Sequence, residues 1–135
     1  MRENKLADRD AAKNIGFRGE TYAVEYLKSK GYEILERNFR ITRPQYAEVD
    51  IIAVTGNYLV FLEVKCRRYN GLVSAAYVLN QAQQQRILAA AQVYLYRHPT
   101  RLQPRFDVIC MDISSGPDFF EVLSLEPYEN AFGLW

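Results

Sequence analysis

At 135 residues and 15.7 kDa, with 49% apolar and 24% charged side chains, the chain has the make-up of one globular domain, and no apolar run reaches the ~18 residues of a membrane span. One histidine, His98, and two cysteines without metal-ligand spacing, Cys66 and Cys110, exclude paired-histidine zinc chemistry and H-E-x-x-H proteases. The net charge of +1 hides a split, because 17 bases against ten acids give +7 over residues 1–106 while residues 107–135 hold six acids and no base.

In chain order, residues 8–30 predict an amphipathic helix, since Ala12, Ile15, Gly16, Gly19, Ala23, Tyr26 and Leu27 recur at three- and four-residue spacing. Gly31 is its stop signal. Tyr32–Ile41 alternates weakly and reads as a first strand near a sheet edge, followed by a loop over Thr42–Ala47. Glu48–Val54 and Tyr58–Cys66 are apolar, β-branched runs around Thr55-Gly56-Asn57, the pattern of a hairpin. Leu79–Arg97 predicts a second helix, with Leu79, Ala82, Ile87, Ala90, Ala91, Tyr94 and Leu95 on its apolar face and His98 as a cap or surface residue. Arg105–Ile113 is a further strand, Ser114–Asp118 a turn, and Phe119–Leu125 a last antiparallel strand. Residues 1–13 read as an N-terminal extension and 127–135 as a tail of the single domain 1–135. With no hydrophobic leader, a cytoplasmic protein with reduced thiols is expected.

The hairpin strands are apolar on both faces, with Val49, Ile51 and Ala53 on one and Ile52 and Val54 on the other. Such strands lie inside a covered sheet, and helices before and after the hairpin can supply the two covers. The connection through the second helix is long enough for a parallel crossover. The expected fold is α/β, a three-layer α-β-α sandwich around a mixed central sheet.

The sequence lacks a Gly-x-Ser-x-Gly elbow, a phosphate loop and a Gly-x-Gly-x-x-Gly turn, so any catalysis falls to carboxylates and lysine. A four-residue connection, Thr55–Tyr58, pairs Val54 with Leu59, Ile52 with Phe61, Asp50 with Glu63 and Glu48 with Lys65. Opposed carboxylates repel unless a cation sits among them. Asp50 and Glu63 are hard oxygen ligands suited to Mg²⁺ or Mn²⁺, and Lys65 can reach a water or the phosphate it attacks. The bland alternative is a surface ion-pair cluster. Glu20 shares the inner side of the first helix, where the glycines allow close approach to the sheet; its alternative is an ion pair with Arg37 or Arg40. Cys66 points away from Glu63 and Lys65 and reads as core filling.

The runs Gly19-Glu20, Ala23, Tyr26-Leu27, Gly31-Tyr32, Arg37-Asn38-Phe39-Arg40 and Glu48-Val49-Asp50-Ile51-Ile52-Ala53, then Phe61–Arg67, Arg105–Ile109 and Asn130-Ala131-Phe132, together resemble the YraN-like family of small uncharacterised bacterial proteins. That family is similar to the PD-(D/E)XK nuclease superfamily, with a restriction-endonuclease-like core of the kind seen in tRNA endonucleases and archaeal Holliday-junction resolvases. The resemblance implies Asp50, Glu63 and Lys65 as the catalytic set, with Glu20 as the helix carboxylate. Two positions depart from the family pattern: Ala47 stands where glycine is usual, and Gln83 where a lysine precedes an Arg-Ile pair.

The function so implied is a Mg²⁺- or Mn²⁺-dependent endonuclease acting on DNA, branched or single-stranded. Asp50, Glu63 and the Val64 carbonyl would hold the metal. Arg37, Arg40, Arg43, Arg67, Arg68 and Gln83 are candidate nucleic-acid contacts. The alternatives are a nucleic-acid-binding module that does not cut, and a protein-interaction subunit using Phe119, Phe120, Tyr128, Phe132 and Trp135. A homodimer is a further expected assembly.

Overall fold

The computed structural model describes residues 2–69 and 79–133, with side chains from residue 14 onward. Its elements are α1 (Arg2–Ser29), β1 (Glu33–Ile41), β2 (Ala47–Thr55), β3 (Tyr58–Arg68), α2 (Gln81–Arg97), β4 (Gln103–Gly116) and β5 (Phe119–Phe132). The strands form one sheet in the order β1-β2-β3-β4-β5. Only β3 and β4 run parallel, across the α2 crossover, so the sheet is mixed. On one face Ala23, Val24 and Leu27 of α1 pack with Ile51, Ala53, Val60, Leu62 and Met111. On the other, Ile87, Ala90, Ala91 and Tyr94 of α2 pack with Phe39, Ile52, Phe61 and Phe106. The result is the expected three-layer sandwich, an α/β fold consistent with a restriction-endonuclease-like core. Among the described residues no helix is long and apolar enough to cross a membrane.

Local chemistry sets the element ends. Gly31 (φ 89°) closes α1, with its N–H donating to Lys28 O and the Tyr32 N–H to Leu27 O. Gly56 (φ 54°) turns the β2–β3 hairpin. α2 begins at Gln81 rather than Leu79 because Asn80 caps it: Asn80 Oδ1 accepts the Gln83 N–H at 2.8 Å, and Gln83 Oε1 accepts the Asn80 N–H at 3.1 Å. His98 ends α2 as expected, its N–H donating to Tyr94 O at 2.8 Å.

Other boundaries also differ from the sequence expectation, most of all at α1, β4 and β5. α1 reaches back to Arg2, so the presumed extension is helical from there; its Ala-, Lys- and Arg-rich run favours helix with little apolar periodicity to announce it. β4 runs through Ser114–Gly116, leaving only Pro117-Asp118 as the turn. β5 continues through the presumed tail to Phe132. Pro127 and Asn130 look like strand breakers, yet Pro127 sits on an edge strand, where its missing N–H is tolerated. Asn130 (φ 54°) occupies a register shift opposite Asp107, whose Oδ1 accepts its N–H at 2.9 Å. Trp135 lies outside the described residues.

Gly19 fixes how closely α1 meets the sheet, because a Cβ there would collide with Cys66 Sγ and touch the Met111 side chain. Gly19→Ala is therefore expected to destabilise by about 1–3 kcal/mol despite alanine's better helix propensity. Denaturant unfolding checks this, and pairing it with Cys66→Ala should recover much of the loss.

Candidate active site

The β2–β3 ladder has the expected register, from Thr55↔Tyr58 and Val54↔Leu59 to Ile52↔Phe61 and Ile51↔Leu62. There it stops. The expected Asp50–Glu63 and Glu48–Lys65 backbone pairs fall beyond its end, where the Val64 N–H donates to Asp50 Oδ2 at 2.8 Å. On the other flank Asn38, between the pairs Arg37↔Ile51 and Phe39↔Val49, has φ 55°. Side-chain alternation breaks at this point. Arg37 and Ile51 face α1, whereas Phe39 and Val49 face α2. Val49 thus packs with Ile52 rather than with Ile51 and Ala53, which corrects the simple period-two reading. Asp50 sits at the switch.

Asp50, Glu63, Lys65 and Glu48 line one cavity of about 270 Å³, together with Tyr46, Gln83 and Arg86. Lys65 Nζ lies 3.2 Å from Glu63 Oε1. Tyr46 Oη donates to Glu48 Oε2 at 2.9 Å, and Arg40 Nε to the same oxygen at 3.3 Å. Burial, with the Asp50 charge beside it, pushes the Glu63 carboxyl up to about 7 against the opposing pull of Lys65. Asp50 is also raised, chiefly by burial, and the Val64 N–H offsets part of that. The two carboxyl groups also interact by a side-chain hydrogen bond. They titrate as a pair that resists double ionisation.

Glu20 approaches from the α1 side and is not on the cavity wall. Burial first, and then Asp50, push its carboxyl up to about 7. Arg37 Nη2 lies 3.8 Å away, outside hydrogen-bond distance, and both Glu20 Oε1 and Arg37 Nε are buried without a hydrogen-bond partner. The expected ion-pair alternative and the expected closeness to Asp50 therefore coexist. Cys66 packs against the α1-side core, its thiol raised to about 11, mainly by burial.

The other candidate contacts are spread out. Arg37 donates to Thr21 Oγ1 at 3.2 Å and lies over the Phe17 ring on the α1 side. Arg40 reaches the cavity rim through Glu48, and Arg43 is exposed in the loop before β2. Arg67 pairs with Asp112 at 3.2 Å and Arg68 donates to Ser115 Oγ at 3.3 Å, both near the carboxyl end of β3. Gln83 lines the cavity while serving the helix cap. A lysine in its place could not accept the Asn80 N–H, which gives the amide a structural reason to be there. Sequence reasoning missed Arg86 as a site residue; its signal was the i, i+3 spacing from Gln83, which puts both on one helix face.

A larger cleft, about 520 Å³, lies on the α1 side, running from the β2–β3 turn along β4. Its main charges cancel internally, with Arg105 bonded to Asp107 at 2.8 Å and to Tyr32 Oη at 2.9 Å. Like charge is instead crowded at Asp50 and Glu63, where Lys65 relieves only part of it. Among the described residues no third His, Cys, Asp or Glu completes a ligand group with them. Two hard carboxylates with open remaining positions fit Mg²⁺ or Mn²⁺, which use one or two carboxylates together with water or phosphate.

These carboxyls make stability fall as pH rises. Between the ordinary 4.5 and the folded-state value of about 7, Glu20 and Glu63 keep protons that the unfolded chain has lost. The metal-free protein should lose their contribution over that window. A Mg²⁺ ion held by the ionised pair would raise the melting temperature more at about pH 8 than at about pH 5. Thermal melts with chelator and with Mg²⁺ at both pH values check the sign.

Residues 19–111 match the family model for the uncharacterised protein family UPF0102. A UPF0102 protein of Acetivibrio thermocellus is 35% identical over 130 residues, covering 96% of this chain and 98% of its own. One of Hahella chejuensis is 39% identical over 123 residues, with 90% and 92% covered. One of Nitrobacter winogradskyi is 45% identical over 103 residues, with 75% and 83% covered. With two thirds of its length inside the family model and relatives of 35% to 45% identity covering at least three quarters of it, the chain belongs to the UPF0102, or YraN, family.

Proposed function

We propose that the protein is a metal-dependent endonuclease that hydrolyses phosphodiester bonds of DNA, with branched and single-stranded DNA as candidate substrates. The observation that carries this reading is the pairing of Asp50 with Glu63 beside Lys65, held where the β2–β3 ladder opens. Asp50, Glu63 and the Val64 carbonyl would hold Mg²⁺ or Mn²⁺, which supplies charge to polarise the phosphate and acidify water. Asp50 is fixed for this by the Val64 N–H. Lys65, anchored on Glu63, orients the attacking water with its ammonium protons and offers positive charge to the developing oxyanion. Glu20 adds negative charge behind Asp50 and favours a cation there. Arg40, Arg43, Arg67 and Arg68 position the DNA backbone around the opening.

The test is incubation with labelled single-stranded, duplex, flap and four-way-junction DNA at several Mg²⁺ and Mn²⁺ concentrations. Cleavage of at least one substrate, dependent on metal and lost in Lys65→Ala, is the expected result. Binding with no cleavage under any metal would leave the non-cutting module in its place.

A further inference from the structure

We propose that Arg86 is the residue that seats a DNA backbone phosphate in the Asp50–Glu63 cavity, with the Gln83 amide as its helper; this rests on the nuclease reading above. The cavity's walls carry three carboxylates, Glu48, Asp50 and Glu63, and two cations, Lys65 and Arg86. An incoming phosphate therefore meets a field that opposes it. Lys65 is held on Glu63 at 3.2 Å, and Glu48 is held by Arg40 at 3.3 Å. Arg86 is exposed and, among the described residues, has no ion-pair or hydrogen-bond partner for its guanidinium.

The helix backbone that carries it is nonetheless fixed. The next residue, Ile87, is 4% exposed in the α2-side core, and the capping box secures the helix one turn earlier. A guanidinium presents paired N–H donors that match two phosphate oxygens, which an ammonium cannot do. The Gln83 N–H is not the ligand, since it is taken by Asn80 Oδ1. The Gln83 side-chain oxygen is likewise taken by the Asn80 N–H, which leaves its NH₂ group as a donor to the same phosphate. The seat thus lies on α2, across the cavity from the carboxylates on the strands.

Fluorescence anisotropy with a labelled four-way junction, whose arms are duplex, in chelator so that nothing is cut, measures affinity against salt for wild type, Arg86→Met and Arg86→Lys. Steady-state cleavage gives KM and kcat for the same proteins. Arg86→Met should weaken binding by about tenfold and reduce the salt slope by about 0.9, the value for one phosphate contact on duplex DNA. It should raise KM with kcat nearly unchanged. Arg86→Lys should keep the slope and recover only part of the affinity. Arg86 is exposed, so both variants should melt with wild type. Wild-type binding and cleavage with an unaltered slope and KM in Arg86→Met would overturn the assignment of Arg86 alone. A wild-type protein that neither binds nor cuts DNA would overturn the nuclease reading, and this inference with it.

Discussion

Glu63→Gln is expected to lower cleavage on the order of a thousandfold while making the metal-free protein more stable at about pH 8. Both effects have one cause. Glu63 is forced against Asp50 in a buried setting that pushes its carboxyl up to about 7, so ionising it costs folding energy. An amide of the same shape removes the repulsion and weakens the ligand together. The ion pair to Lys65 is lost as well, but Lys65 is 28% exposed and water compensates most of that. Asp50 keeps its Val64 N–H bond in this variant, so the strand opening should survive. Melts in chelator and initial cleavage rates on the same preparations check the pair of signs. Lower stability together with lost cleavage would point to a purely structural Glu63 instead.

Arg105→Met should be the most damaging substitution for the fold, at about 3–5 kcal/mol. Arg105 and Asp107 are 8% and 4% exposed, and Arg105 gives Asp107 three hydrogen bonds of 2.8 to 3.2 Å. Tyr32 Oη accepts a further bond from Arg105, and Asp107 receives the Asn130 N–H. The network ties the end of α1, the start of β4 and the end of β5 together. Removing the guanidinium strands a buried carboxylate with one donor left. Adding Asp107→Leu should restore part of the stability, because an apolar pair removes the stranded charge. Urea unfolding measures both. The residual folded fraction of Arg105→Met should cut DNA at the wild-type rate per molecule, since none of this network's residues lines the Asp50–Glu63 cavity.

The sheet and its two covers were legible because each element carried its own signal. Gly31 marked the end of α1, Gly56 set the hairpin register, and strands apolar on both faces required a helix on each side. The site was legible as far as that register could be extended. Asp50 and Glu63 do meet, but through side chains beyond the last ladder pair. A period-two reading could not show that Asn38 takes a left-handed φ and turns Phe39 and Val49 to the α2 face. Asn is among the few residues that tolerate this conformation, so its place in a strand was the available hint. β5 was cut short for the opposite reason. Pro127 and Asn130 are honest turn signals that an edge strand with a register shift can absorb. Arg86 escaped because a lone exposed arginine on a helix says nothing until the fold puts a carboxylate pair across from it.

The account turns on Asp50 and Glu63 sharing one divalent cation, and titration calorimetry of Mn²⁺ into wild type and Asp50→Asn at pH near 7 addresses that directly. With the Glu63 carboxyl raised to about 7, binding at that pH should displace about half a proton from it, so the measured heat should depend on the buffer's ionisation enthalpy. Asp50→Asn keeps an acceptor for the Val64 N–H, so it should fold as wild type does and lose the saturable heat. Equal saturable binding by both proteins, or none by wild type, would contradict the shared-cation site.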